Sequence, residues 1–463
     1  MSTEWKIKNL ARHLWCLGFS FVTFDQALVW KFQSFNFKLC YGFFFLSFLL
    51  TLTAVIKESG LRQSFAKYAS ILLRSPWLFA SLLLANALLL LPISYVAKKS
   101  VAYSTWLSFD LLAILATAIL LFSREHNPKE DSSRLRGLWM KYLWGSLVGL
   151  ALVVHIDYFA FFYGYRSGLI GFNQGADSWY GYSRPHAFAY EASYLALYFG
   201  FGFIYLLFES IVSAKPIIPR WLSLPALVLS MNVILLTFAR SILITMTLSI
   251  FLLVLFLIHR GKLHVTKINH LVVAFLLSIA TIVSLTPKNQ LIAAYDRMIY
   301  RAFVGKDGSI DSRLDGFRVA WDAAKSSKFV GVGIGSSYAY WYFELEGAPS
   351  IKGLVLPQTI YQRHKIQSLW MEILAELGAL GVLLFASLAG AVCVHSWRAT
   401  RRDPGMDSYV AFAMLSVFFL FTAHWFPNLC RPDIWAWIGV WGASIANGVP
   451  NDGKSPLPRP NPG

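Results

Sequence analysis

"SLWMEILAELGALGVLLF", residues 368–385, changes character half-way along. Its first half carries Glu372 and Glu376, whereas Leu377 to Trp397 contains no Asp, Glu, Lys or Arg. A helix crosses a bilayer core with about 20 mostly apolar residues. The stretch therefore reads as a loop helix, starting near Gln362, that enters a membrane at about Leu377.

Outward from there the apolar signature recurs. Spans are expected at about 10–28, 37–56, 76–97, 101–122, 138–160, 190–209, 221–239, 242–258, 269–285, 377–396, 408–426 and 432–447. Only 14% of residues are charged, the mean hydropathy is +0.53, and a soluble chain would carry about a quarter charged. The expected fold is an all-α polytopic membrane protein with about 12 transmembrane helices and one large loop. The first span is the weakest, because "LARHLWCLGFSFVTFDQALVW" includes Arg12, His13 and Asp25. It reads as tilted or partly interfacial. No apolar core followed by a small-residue cleavage site opens the chain, so no cleavable signal peptide is expected.

The net charge of +17 would suit nucleic acid, but its placement points to a membrane. Lys57, Arg62, Lys67 and Arg74 share one connection, and Arg124, Lys129, Arg134 and Arg136 another. Lys215 and Arg220, then Arg260, Lys262 and Lys267, then Arg398, Arg401 and Arg402 fill three more. In the twelve-span order these all fall on one side, the cytoplasmic side by the positive-inside rule, and both termini fall there too. Lys98 and Lys99 are the discordant pair. Residues 161–189, the 239–241 corner and 286–376 then lie outside. The division is 1–285, a bundle of nine spans; 286–376, the large loop; 377–447, three spans; and 448–463, a Pro-rich tail expected to be disordered. Cys16, Cys40, Cys393 and Cys430 make no disulfide framework. No metal-ligand spacing and no nucleotide-binding signature is present, so no cofactor is expected.

The large loop contains "SRLDGFRVAWDAAKSSKFVGVGIG", 312–335. Leu314, Phe317, Trp321 and Ala324 recur at helical steps and predict a helix over 311–327, lying on the membrane surface or on the bundle. Arg313 and Arg318 border that stripe. They suit a phosphate, or anchoring to head groups, or ion pairs with Asp311, Asp315 and Asp322. "GVGIG" reads as a helix stop rather than a nucleotide loop. In "LLTFARSILITM" Arg240 sits between two spans and needs a wet cavity or an acidic partner. "YSRPHAFAYEASYLALYF" places Arg184, His186 and Glu191 where a span begins. Glu191 suits a helix N-terminus, a partner for Arg240, or a general base. His364 is a proton-transfer candidate or a structural histidine. Arg431 in "NLCRPDIWAW" has Asp433 as a neighbour, and Asp110 lies mid-span with no partner identified.

These residues resemble the O-antigen polymerase and O-antigen ligase superfamily of bacterial surface-polysaccharide assembly. "RLDGFRVAWDAAKSSKFVGVGIG" is similar to the family's Arg, hydrophobic helix and Gly-x-Gly-x-Gly. "QSLWMEILAELGALG" is similar to its loop-exit helix, with Glu376, Gly378 and Gly381 in place. "LTFARS" resembles the Ser-Arg hairpin, and "YEASYLALY" a Glu-Pro-Ser element with Ala192 at the proline. The resemblance covers roughly 180–440. In the ligase branch a His stands nine residues before the Glu; here that position is Gln367, followed by Ser368, which favours the polymerase branch.

What the resemblance implies is a GT-C-like glycosyltransferase of the bacterial inner membrane that needs no metal. Its donor would be a glycan on undecaprenyl pyrophosphate, and its acceptor the next lipid-linked repeat unit, or lipid A–core for a ligase. A chain-length regulator and a flippase would be its partners. Arg313, Arg318 and Arg240 would clamp the pyrophosphate, with Arg184, Arg431 and Gln367 also binding substrate. Glu191 and His364 compete as base, Arg313 counts among the catalytic groups, and the aromatic stretch 336–346 would stack on sugar rings. The alternative of another class is a lipid-linked oligosaccharide flippase.

Overall fold

The computed structural model describes residues 3–24, 29–32, 35–123, 126–127, 132–173, 183–212, 216–259, 265–296, 308–341, 344, 366, 368–402 and 429–447. It is a helix bundle. In chain order the helices are α1 (Thr3–Ser20), α2 (Leu39–Leu73), α3 (Trp77–Leu89), α4 (Ala97–Phe109), α5 (Thr117–Phe122), α6 (Ser132–Ala160), α7 (Ala192–Val212) and α8 (Arg220–Leu236). They continue as α9 (Arg240–His259), α10 (Val265–Leu285), α11 (Lys288–Tyr295), α12 (Gly308–Ser326), α13 (Ser337–Tyr340), α14 (Leu369–Arg402) and α15 (Pro432–Asn447). Two short antiparallel hairpins interrupt the all-helical pattern: β1 (Val29–Phe32) with β2 (Phe35–Lys38), and β3 (Phe172–Asn173) with β4 (Pro185–Ala187).

Helices occupy the expected span positions except 408–426, which lies outside the described residues. Four segments are long and apolar enough to cross a membrane: Leu39–Leu73, Ala97–Phe122, Arg134–Tyr163 and Leu369–Arg398. Trp77–Ile93, Ala192–Leu207, Arg220–Leu236, Ile242–Leu252 and Val272–Leu285 are apolar but shorter. The chain is thus an α-helical membrane protein, and the count of twelve spans is not reached by these criteria. Two long helices are broken at glycines with left-handed backbone, α2 at Gly60 and α14 at Gly378.

The first helix departs from its expected reading. It spans Thr3–Ser20 rather than 10–28, and Ala11, Trp15, Cys16 and Phe19 are fully buried. Trp15 packs on Phe19, Phe44 and Phe122, and Phe19 meets Trp437 edge-on at 4.9 Å. Arg12 is buried there because α5 ends beside it. Its Nε donates to Leu121 O at 3.0 Å and its Nη2 to Asn127 Oδ1 at 3.1 Å. Asn127 Nδ2 in turn donates to Leu120 O and Ser123 O. A cation at a helix C-terminus meets carbonyls that have no intrahelical donor. Arg12 is therefore a helix cap supplied from elsewhere in the chain. Asp110 opens a π-helical turn, Asp110–Ala116, that packs on α15. It is fully buried, and neither carboxyl oxygen has a hydrogen-bond partner.

Arg12→Met removes the donors to Leu121 O and Asn127 Oδ1 and leaves the buried Asn127 oxygen without the Arg12 bond, a loss of about 2 kcal/mol. Thermal unfolding of the purified protein in detergent should shift downward for Arg12→Met. It should stay unchanged for Lys8→Met, whose ion pair with Glu58 is solvent-accessible.

Candidate functional site

The end of α6 organises one side of the site. Asp157 accepts three successive backbone N–H groups: Leu169 and Ile170 on Oδ1, at 2.7 and 2.8 Å, and Gly171 on Oδ2 at 2.8 Å. The connection after α6 is thereby folded back over the helix end. Asn173 extends the arrangement, donating to Ser183 Oγ and accepting the Arg184 backbone N–H. Arg184 Nε then donates to Thr237 O at 2.8 Å. Thr237 caps α8, and three residues later Arg240 begins α9. Arg184 and the Arg240 corner, 53 residues apart in the Arg184–Thr237 bond, are thus brought together. The Arg240 side chain is outside what is described.

His186 lies in β4, buried, with its Nδ1 bonded to Ala189 O and its ring stacked on Phe172 at 5.9 Å. Burial pulls its pKa below the ordinary value, more than the Ala189 bond and the other nearby charges offset. Glu191 immediately precedes α7, half-buried, and its carbonyl accepts the N–H groups of Tyr194 and Leu195. One turn further on, the Arg431 guanidinium stands 3.9 Å over the Tyr194 ring. Arg431 also forms the ion pair its neighbour allows: Nε to Asp433 Oδ1 at 2.9 Å and Nη2 to Asp433 Oδ2 at 3.0 Å. Two of its nitrogens are committed to that carboxylate.

The other side is built by 327–337 crossing the break in α14. Ala379 N donates to Phe329 O, Val332 N to Ala375 O and Gly333 N to Glu376 O, at 2.9 to 3.0 Å. The Glu376 carboxylate accepts Gly335 N at 2.7 Å and Ser337 Oγ at 2.8 Å. Two backbones lie so close that a Cβ at Gly331 would sit 2.6 Å from Glu376 O, and one at Gly378 would overlap Val330 O. Both glycines also have positive φ. "GVGIG" therefore does more than stop a helix. It is a clasp, closed on its far face where Ser100 Oγ donates to Ile334 O and Tyr95 N to Val332 O. Beside it is a narrow cleft lined by Tyr103, Ile334, Glu372, Glu376, Leu429 and Cys430. Lys99 stands over the Tyr103 ring at 5.8 Å and attracts both glutamates.

α12 docks on α14 through small residues. Val319, Ala320 and Ala323 are buried against Ile366 and Ala375, with Tyr340, Trp341 and Met371 at the edge. The apolar stripe read from the sequence is largely not the docked face. Of that stripe only Ala324 is buried, while Leu314 is 62%, Trp321 50% and Phe317 39% exposed. The observed helix also begins slightly earlier, at Gly308. Arg313 is half-buried, and Arg318 is exposed with a 3.9 Å contact to Asp322. Tyr340 and Trp341 serve packing, Tyr340 meeting Tyr95 edge-on at 5.4 Å.

The expected site residues thus fall in two groups. Arg184, Glu191 and the Arg240 corner belong to the α7–α8 side, and Arg313 and Arg318 to the α14 side. The 429–433 turn joins them, since Arg431 stacks on α7 while Leu429 and Cys430 line the cleft against α14. His364 and Gln367 lie outside the described residues. Sequence reasoning missed Lys99 and Tyr103 as cleft residues; the one signal was that Lys98 and Lys99 broke the charge pattern.

Residues 225–386 match the family model described as O-antigen ligase. The match runs from within α8, through the Arg240 corner and α12, to the apolar half of α14. No curated protein matches the chain.

Two outcomes follow from this geometry. Glu376→Ala removes the acceptor that fastens 335–337, so limited proteolysis within 308–341 should accelerate while the transmembrane core stays resistant. His186 is held neutral by burial, so the unfolded chain takes up its proton first as pH falls below about 6.5. Stability is full above that value and declines as pH drops towards the lowered folded pKa. Thermal unfolding at pH 7.5 and 5.5 should show the decline, and His186→Phe should reduce it.

Proposed function

From the O-antigen ligase/polymerase superfamily to which residues 225–386 belong, we propose a polymerase. In this reading the chain transfers a glycan from undecaprenyl pyrophosphate to the next lipid-linked repeat unit at the outer face of the inner membrane. The observation that carries it is that Arg184 bonds at the α8–α9 corner where Arg240 begins α9, while Arg431 stands over Tyr194, one turn into α7 from Glu191. Transfer from a diphosphate calls for a carboxylate to take a proton and guanidinium groups to meet the leaving group.

The acceptor hydroxyl oxygen bonds to the anomeric carbon as that carbon's bond to the diphosphate oxygen breaks. Glu191 takes the hydroxyl proton. The negative charge that grows on the departing diphosphate is met by arginines, whose paired N–H groups match phosphate oxygens. Arg184 and Arg431 are already oriented by Thr237 and Asp433. Arg313 and Arg318 arrive on α12, carried by the clasp. A ligase is the second reading, favoured by the description of the matching family, with lipid A–core as acceptor. Gln367 in place of the ligase histidine supports the polymerase.

Purified protein in nanodiscs, given only its lipid-diphosphate-linked repeat unit, tests the reading. A ladder of longer lipid-linked glycans is expected. Transfer that begins only when lipid A–core is added establishes the ligase, and no product in either case returns the flippase. With a ladder in hand, Arg313→Ala, Arg318→Ala and Glu191→Gln should each slow elongation, roughly 10²-fold where a charge-stabilising group is lost.

A further inference from the structure

α12 has three faces. At about 100° per residue, Val319, Ala323, Gly316, Ala320 and Ala324 form the docked face. Phe317, Trp321 and Leu314 follow, exposed. Lys325 and Arg318 come next, then Asp322 and Asp315. The helix is thus bound on one side, and its largest apolar side chains point away from the protein. Basic residues separate them from the acidic edge.

This exposed stripe continues into a surface that faces lipid. Trp321 meets Phe329 edge-on at 5.7 Å. Phe329 O accepts the N–H of Ala379, in the first turn of α14 beyond its break. From there Leu380 and Leu383 are exposed on a helix long and apolar enough to cross a membrane. Val330, between clasp and helix, is exposed as well. Exposed apolar residues Trp321, Phe329, Val330, Leu380 and Leu383 thus lead from α12 to the apolar half of α14.

We propose that α12 is an interfacial helix, with Leu314, Phe317 and Trp321 seated among the acyl chains of the adjoining bilayer leaflet and Arg318, Lys325 and Lys328 among phospholipid phosphates. Two observations select a bilayer over a protein partner: continuity with the α14 surface, and the cations standing between stripe and acidic edge. Apolar residues sink on one side of such a helix while Lys and Arg reach to the head groups. The inference goes beyond the glycan chemistry and stands or falls separately from it. Its consequence is positional, in that Arg318 is held at phosphate depth.

Site-directed spin labelling in liposomes containing phosphatidylglycerol tests it. Single cysteines at 314, 317 and 321, and at 315 and 322, are placed in a chain whose four native cysteines are replaced. Oxygen should relax the labels at 314, 317 and 321 severalfold more than a water-soluble nickel complex does, with the order reversed at 315 and 322. Equal access of the nickel complex to all five positions would place the helix in water and overturn the proposal. Exclusion of both reagents from 314, 317 and 321 would mean that protein covers the stripe, and would overturn it too. Should the cysteine variants fold poorly, the unsubstituted protein in vesicles with a diazirine-bearing phospholipid gives the same decision. Crosslinks within 312–325 are expected, and their absence while 379–397 is labelled would reject the proposal.

Discussion

The arrangement depends on one close crossing of two backbones. Residues 329–333 run against 375–379 with carbonyl and N–H groups paired directly, and no side chain intervenes. Gly331 and Gly378 make this possible, since a Cβ at either would meet backbone atoms of the opposite strand. The crossing breaks α14 where its polar half ends and its apolar half begins. It also turns the Glu376 carboxylate onto 335–337. A buried carboxylate is costly unless its lone pairs are filled, so the clasp and the carboxylate hold one another in place. The segment 327–337 is thus tied to the point where α14 turns from polar to apolar.

From this tie the rest of the site takes its position. The 327–337 segment carries α12 onto α14 and also closes the cleft against Tyr103 and the 429–430 turn. That turn continues into Arg431 and reaches α7 by stacking on Tyr194. On the far side, Asp157 and Asn173 secure the connection that presents Arg184 to the α8–α9 corner. Asp157 and Arg184 are held by backbone groups rather than by another flexible side chain, which fixes their geometry at low entropic cost.

Much of this was legible in the sequence, for identifiable reasons. Helices follow from apolar runs, so most helix positions could be read, and the change of character at Leu377 falls beside the break at Gly378. The Arg431–Asp433 pair could be read because its partners are two residues apart. Arg12 could not, because its acceptors lie 109 and 115 residues away. The α12 stripe shows a further limit. Periodicity gives an apolar face but not what covers it, and here the smaller residues dock because they allow closer approach to α14. Lys99 and Tyr103 sit in a region with no recognisable motif, and only packing brings them to the cleft.

The two groups of arginines differ in a way that bears on their proposed roles. Arg431 is buried, forked onto Asp433 and stacked on an aromatic ring. Redirecting it to a ligand would strand a buried carboxylate, a loss of several kcal/mol. It suits fixing the Glu191 end of α7, where it stands over Tyr194. Arg318 is 82% exposed, with one long contact that solvent screens, so it can exchange water for phosphate oxygens at little cost. The proposed reaction calls for both kinds: an arginine that holds the shape of the site, and donors free to close on a diphosphate leaving group. The bundle provides the first and the clasped loop helix the second.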